Sequence, residues 1–175
     1  FPFGCLVGIP YYLMRMLRRG GYAEDFGHRL GLWPQLPEKS VNARRIWIQA
    51  VSVGELLALG PLLKRLSEEG NIEIVLSTTT STGYRVARDR YSDLALAVGP
   101  FPLDFLPFSS RTWNRIKPDL AILVDSELWP EHMHQARKRE VPVIIVNGRI
   151  SDRSLNRLGK AGCFRKLLVP PELHV

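Results

Sequence analysis

Two periods organise the apolar positions of this chain. From residue 44 onward, short apolar runs alternate with stretches in which leucines recur three or four apart. Ile46-Trp47-Ile48-Gln49-Ala50-Val51 reads as a strand, and Leu56, Leu59, Leu63 and Leu66 predict a helix over 55–69. A strand follows over 72–76, a helix over 82–91 and a short strand over 94–98. A helix over 107–117 stops before Pro118. Leu120–Val124 and Val143–Val146 are wholly apolar, as strands buried on both faces are. Pro130 opens a helix over 130–140, and a helical pattern resumes near Ser154. This alternation predicts an α/β fold, a Rossmann-like doubly wound parallel sheet. Ligands of such sheets sit beyond the carboxyl ends of the strands. The loops to read for chemistry are therefore 52–55, 77–83, 99–104, 125–129 and 147–154.

Composition supports a globular fold: 45% of the 175 residues are hydrophobic and 23% charged. Cys5 and Cys163 are too few for a disulfide framework or a four-cysteine zinc site, which favours a reducing compartment. The net charge of +7 is uneven, with nine basic and four acidic residues in 131–175 and ten of each in 41–130. Basic ends around a balanced middle do not form a nucleic-acid stripe; they suit phosphate or an anionic membrane surface. Residues 1–14 carry no charge and precede Arg15, Arg18 and Arg19. That run falls short of the roughly 20 residues a bilayer span needs, and its basic residues lie on the wrong side for a signal peptide. It reads as the end of a membrane anchor, an interfacial segment or an ordinary buried stretch. The chain opens on Phe1, as a segment of a longer protein does. The organisation expected is an apolar and basic lead-in over 1–40, a Rossmann-like domain over 41–160, and a tail or linker over 161–175.

Ser52-Val53-Gly54-Glu55 closes the first strand and opens a helix. Gly54 permits close approach of a ligand, and Glu55 can serve as a general base. The same four residues spell a capping box, with Ser52 capping and Glu55 reaching back. Residues 50–54 also resemble a hydrolase nucleophile elbow, but His132 and His134 lie two apart on a helix and His174 sits near the chain end. Ser77 to Thr82 are six consecutive hydroxyl residues before Gly83, more than one helix cap requires. Thr79 and Thr80 can bond sugar hydroxyls or phosphate. Neither a P-loop nor a dinucleotide fingerprint is present. Asp125 and Glu127 are too few for a metal ligand set, so Glu127 is read as a hydrogen-bonding group. Arg149, in 147–154, can grip phosphate or carboxylate, or pair with Asp125 or Glu127.

Taken in order, IWIQAVSVGE, LSTTTSTG, FPLD, DSELWP and VPVIIVNGRISDRS resemble the N-terminal half of 3-deoxy-D-manno-octulosonic acid (Kdo) transferases. The upstream FGHRLGLWP is similar to that family's segment before the sheet. The resemblance implies one half of a GT-B glycosyltransferase. It implies inverting transfer of Kdo from CMP-Kdo to a lipid A precursor at the cytoplasmic face of the bacterial inner membrane, without a metal or other cofactor. It places the general base on Glu55, and substrate contacts on Ser52, Gly54, Glu127, Trp129, Asn147, Arg149 and Ser151. Thr79, Thr80 and Gly83 join them from the hydroxyl loop. The family usually has histidine at Gln49, glutamate at Asp125, asparagine at Glu131, alanine at Gly148 and leucine at Ile150. A donor-binding half is expected from a further domain, without which this chain is expected to be inactive. The alternative is a noncatalytic sugar- or lipid-binding module of the same fold.

Overall fold

The computed structural model describes residues 25–124 and 129–147. The elements are α1 (Phe26–Arg29), β1 (Arg44–Ala50), α2 (Val53–Ala58), α3 (Gly60–Glu68), β2 (Ile72–Thr78), α4 (Ser81–Tyr91), β3 (Ala97–Pro100), α5 (Leu106–Ile116), β4 (Leu120–Val124), α6 (Pro130–Lys138) and β5 (Val143–Val146). The strands form one five-stranded sheet in the order β3-β2-β1-β4-β5, with every pairing parallel. This is the doubly wound arrangement the alternation predicts. Ala50 pairs with Thr78, Thr78 with Pro100, and Val124 with Val146, so the strands end along one edge. Among the described residues no helix is long and apolar enough to cross a membrane.

Side chains of β1 alternate between two cores. Trp47 faces Trp33, Phe101, Trp113, Ile116 and Met133. Ile46, Ile48 and Ala50 face Leu56, Leu59, Leu63 and Ala87. Helices α5 and α6 therefore cover one face of the sheet, and α2, α3 and α4 the other. That double cover is why the strands read as apolar runs rather than alternating ones.

Two elements differ from the sequence pattern. The helix expected over 55–69 is divided at Leu59, because Pro61 has no N–H to continue the ladder. The strand expected over 94–98 lies at 97–100 instead. Leu94 and Ala95 pack into the core before pairing begins, and Leu96 N–H donates the first bond, to the Ile74 carbonyl at 2.7 Å. Gly99 and Pro100 look like strand breakers, but β3 is an edge strand, where proline is tolerated. Gly99 is required by its neighbours. A Cβ there would lie 2.6 Å from His28 Nδ1 and 2.8 Å from the Trp33 ring.

The amino-terminal edge is held by charge. Arg45 is buried, donating to Glu73 at 2.7 and 2.9 Å, to the Ile116 carbonyl at 2.9 Å and to the Pro37 carbonyl at 2.7 Å. Asp119 accepts from the Arg45 N–H at 2.8 Å and from Lys39 at 2.6 Å. Burial pushes both carboxyls up, and these donors, with the Ser40 N–H on Glu73, outweigh it, so both titrate below the ordinary carboxylate range.

Gly99→Ala should cost about 1–3 kcal/mol in urea unfolding, by forcing Trp33 and His28 off the sheet; an unchanged midpoint contradicts that contact. Because Glu73 and Asp119 have depressed folded values, their stabilisation is complete above the unfolded carboxylate range and is lost as pH falls through the folded values. Unfolding free energy should decline on acidification below about pH 4, and Glu73→Gln with Asp119→Asn should flatten that decline.

Candidate functional site

The carboxyl edge begins with the turn after β1. Ser52 is extended (φ −123°) and its Oγ accepts from the Glu55 N–H at 3.4 Å. The Glu55 carboxylate reaches back to accept from the Val51 N–H at 2.7 Å and from the Ser52 hydroxyl at 2.8 Å. The capping-box reading is realised, with one shift: the glutamate takes the N–H of Val51 rather than that of Ser52. The carboxylate is half-buried. Its two oxygens offer about four lone pairs, so two accepted bonds leave capacity for another donor. Gly54 is exposed, and a Cβ there would meet only Ser52 Oγ, at 3.9 Å. Nothing in the described fold requires glycine at this position.

The hydroxyl loop divides by direction. Ser77 and Thr78 are fully buried. Trp47 Nε1 donates to Ser77 Oγ at 2.9 Å, Ser77 Oγ donates to Gln49 Oε1 at 2.8 Å, and Gln49 Nε2 donates to Thr79 Oγ1 at 2.8 Å. This relay uses both ends of the Gln49 amide, which explains a polar side chain only 2% exposed inside β1. Thr80 caps α4, accepting from the Gly83 N–H at 3.1 Å. A Cβ on Gly83 would sit 2.8 Å from Thr80 Oγ1 and 3.4 Å from Thr78 Cβ, so Gly83 serves the cap. Part of the cluster is therefore structural. Thr79 and Thr80 remain half-buried on the edge, and Thr82 is exposed.

Phe101 to Asp104 follow β3. Asp104 Oδ1 accepts the N–H groups of Glu131 at 2.9 Å and His132 at 3.0 Å, capping α6 from another loop; Trp129, its own N-cap residue, makes no side-chain bond. Burial pushes the Asp104 carboxyl up, only partly offset by those two donors. His132 is buried against Trp47 and Phe101, and its Nδ1 accepts from Trp113 Nε1 at 3.1 Å. Burial drives its pKa down to about 3, so the imidazole is neutral and belongs to the core. Trp129 packs on Phe101, ring centroids 5.3 Å apart. Asn147 follows β5 in the left-handed region (φ 55°) and is exposed.

Ser52, Gly54, Glu55, Thr79, Thr80, Gly83, Trp129 and Asn147 thus stand after the strands whose ends share one edge, and α2 packs on α4. Glu127, Arg149 and Ser151 lie outside the described residues, as do the uncharged front run and the tail over 161–175. Among the described residues no three His, Cys, Asp or Glu side chains converge as a metal ligand set. A shallow cavity of about 400 Å³ lined by Lys39, Asn114, Lys117, Pro118 and Arg139 lies at the opposite, amino-terminal edge.

The residues that the sequence pattern missed lie in the lead-in. Arg29 is buried, and its guanidinium donates to the Thr79 carbonyl and to the Phe101 carbonyl. Trp33 is wholly buried, and Tyr84 donates to Asp25. Burial and the Asp25 carboxylate push the Tyr84 phenol up to about 12. A four-residue helix has no periodicity to read. The available signal was an arginine between Gly27 and Gly31 and a tryptophan shortly after them.

The sequence profile of the 3-deoxy-D-manno-octulosonic-acid transferase (kdotransferase) family matches residues 24–171. A 3-deoxy-D-manno-octulosonic acid transferase of Haemophilus influenzae is 34% identical over 163 residues, covering 89% of this chain and 35% of that protein. A bifunctional glycosyltransferase/methyltransferase of Fusobacterium nucleatum is 39% identical over 116 residues, covering 66% of this chain and 18% of the relative. A solved UDP-GlcNAc 2-epimerase of Neisseria meningitidis aligns with a TM-score of 0.45 at 13% identity, over 70% of this chain and 37% of that one. The chain spans about a third or less of the length of these curated relatives. With its profile match and its level of identity, the chain belongs to the 3-deoxy-D-manno-octulosonic acid transferase family.

Proposed function

We propose that this chain is the acceptor-side half of a GT-B glycosyltransferase that moves Kdo from CMP-Kdo to a lipid A precursor. The observation that carries the reading is Glu55, a half-buried carboxylate aimed by the Val51 N–H and the Ser52 hydroxyl. Beside it stands a glycine the fold does not need. An acceptor sugar hydroxyl approaches over Gly54 and gives its proton to Glu55 as its oxygen attacks the anomeric carbon. The new carbon–oxygen bond forms opposite the bond that breaks, CMP departs with that electron pair, and the anomeric centre inverts. Thr79, Thr80, Trp129 and Asn147 bind the acceptor, with Glu127, Arg149 and Ser151 completing the set. Arg149 takes an acceptor phosphate. No metal or other cofactor enters this reading. The donor is held by a second Rossmann-like half, and the basic ends of the chain keep the enzyme at the cytoplasmic face of an anionic membrane.

The two bonds that aim Glu55 also suit a purely capping role, the reading in which the chain only binds sugar or lipid. Substitution separates the two. Glu55→Gln keeps an oxygen for the Val51 N–H, so stability should change by less than about 1 kcal/mol. Kdo transfer by the protein carrying both halves should fall by about 10²–10⁴-fold. Retained transfer in the folded variant refutes the base assignment.

Gly54→Ala gives a complementary test. The fold has room for the methyl group, so thermal stability should hold or rise slightly, by up to about 1 kcal/mol. Acceptor kcat/KM should drop at least about tenfold, because the methyl group intrudes on the approaching sugar. Gly83→Ala should do the reverse in stability, since its Cβ meets Thr80 Oγ1 at 2.8 Å. Full transfer by a stable Gly54→Ala protein contradicts the approach path.

A further inference from the structure

We propose that Arg29 is a positioning residue for the acceptor side of the site, holding two of its loops at a fixed separation. The inference rests on the reading of the carboxyl edge as the acceptor site. Arg29 is 5% exposed. One guanidinium nitrogen donates to the Thr79 carbonyl, just past β2, and the other to the Phe101 carbonyl, just past β3, at 3.4 Å. The Arg29 carbonyl in turn accepts the Leu103 N–H at 2.9 Å. A single residue from outside the sheet thus ties the ends of two adjacent strands.

The anchor is itself fixed from behind. His28 stacks on Trp33 with ring centroids 4.8 Å apart, and both fill the space that Gly99 leaves open. Tyr84 of α4 donates to Asp25, at the start of α1. Thr79 is meanwhile gripped by its hydroxyl, which accepts from Gln49 at 2.8 Å. With its carbonyl held by Arg29, its place is set from both sides, and Thr80 follows as the α4 cap. The other tether acts on the loop that carries Asp104, the cap of α6.

Burying a guanidinium costs desolvation that an apolar contact would avoid. What a guanidinium adds is a rigid planar fork that fixes two acceptors relative to each other, which a lysine cannot reproduce. Arg29 therefore sets the width between the hydroxyl loop and the loop after β3. It acts through Thr79 and Phe101 without itself touching the reacting atoms.

The test uses Arg29→Met and Arg29→Lys, read in two ways. Hydrogen exchange on this chain should show lost protection at the amides of Thr79, Gly83, Phe101 and Leu103, with β1 and β4 unchanged. In the protein carrying both halves, acceptor KM should rise about tenfold while donor KM and kcat stay within about twofold. Arg29→Lys should recover part of that loss. A residue that only stabilises the fold would lower kcat through the active fraction, leave both KM values alone and loosen the sheet evenly; that pattern overturns the proposal. So does unchanged exchange at the two loops. If Arg29→Met does not fold, Arg29→Lys is judged by the same two measurements. Wild-type transfer combined with rigid loops in the variants overturns this proposal alone. If the wild-type protein carrying both halves transfers no Kdo while the loops loosen in the variants, the acceptor reading falls and the tether stands.

Discussion

Strand β1 is covered on both faces, by Trp113 and Met133 on one side and by Leu56, Leu59 and Leu63 on the other. A strand so placed joins its neighbours through helical crossovers, and its neighbours run parallel to it. Parallel strands end together. The turns after Ala50, Thr78, Pro100 and Val146 thus share one edge, although almost a hundred residues separate the first from the last. The sheet is what brings the segments 52–55, 79–83, 129 and 147 to the same side of the molecule. The site is a consequence of covering β1 twice.

At that edge, polar groups divide between those the fold consumes and those it leaves available. Ser77, Gln49 and the Thr79 hydroxyl satisfy one another and the Trp47 indole. Asp104 is spent on α6, and His132 is neutral in the aromatic core. Glycines divide the same way. Gly83 and Gly99 are explained by atoms that a methyl group would strike, whereas Gly54 has open space. What remains available among the described residues is small: a half-buried carboxylate held by two donors and the exposed glycine next to it in the turn.

Much of this was legible in the sequence, for reasons that differ by element. β4 and β5 lie at the predicted residues because unbroken apolar runs of four or five leave no competing period. Pro61 divided the expected long helix, a signal that leucine spacing had outweighed. β3 was displaced because an edge strand tolerates Pro100, and Gly99 makes room for His28 and Trp33. The Ser52–Glu55 box was visible as a four-residue pattern, and its geometry matches apart from the reach to Val51. The role of Arg29 was not visible, because its acceptors lie 50 and 72 residues away. Local pattern carries no information about a contact of that span.

The central claim is that this chain receives the acceptor at the carboxyl edge of its sheet. Amide chemical-shift mapping during titration with a lipid A precursor tests it most directly. Shifts concentrated in 51–55, 79–83 and 101–104 are the result this account predicts. Shifts confined to the amino-terminal edge around Lys39, Lys117 and Arg139, or no shifts at saturating lipid, would contradict it.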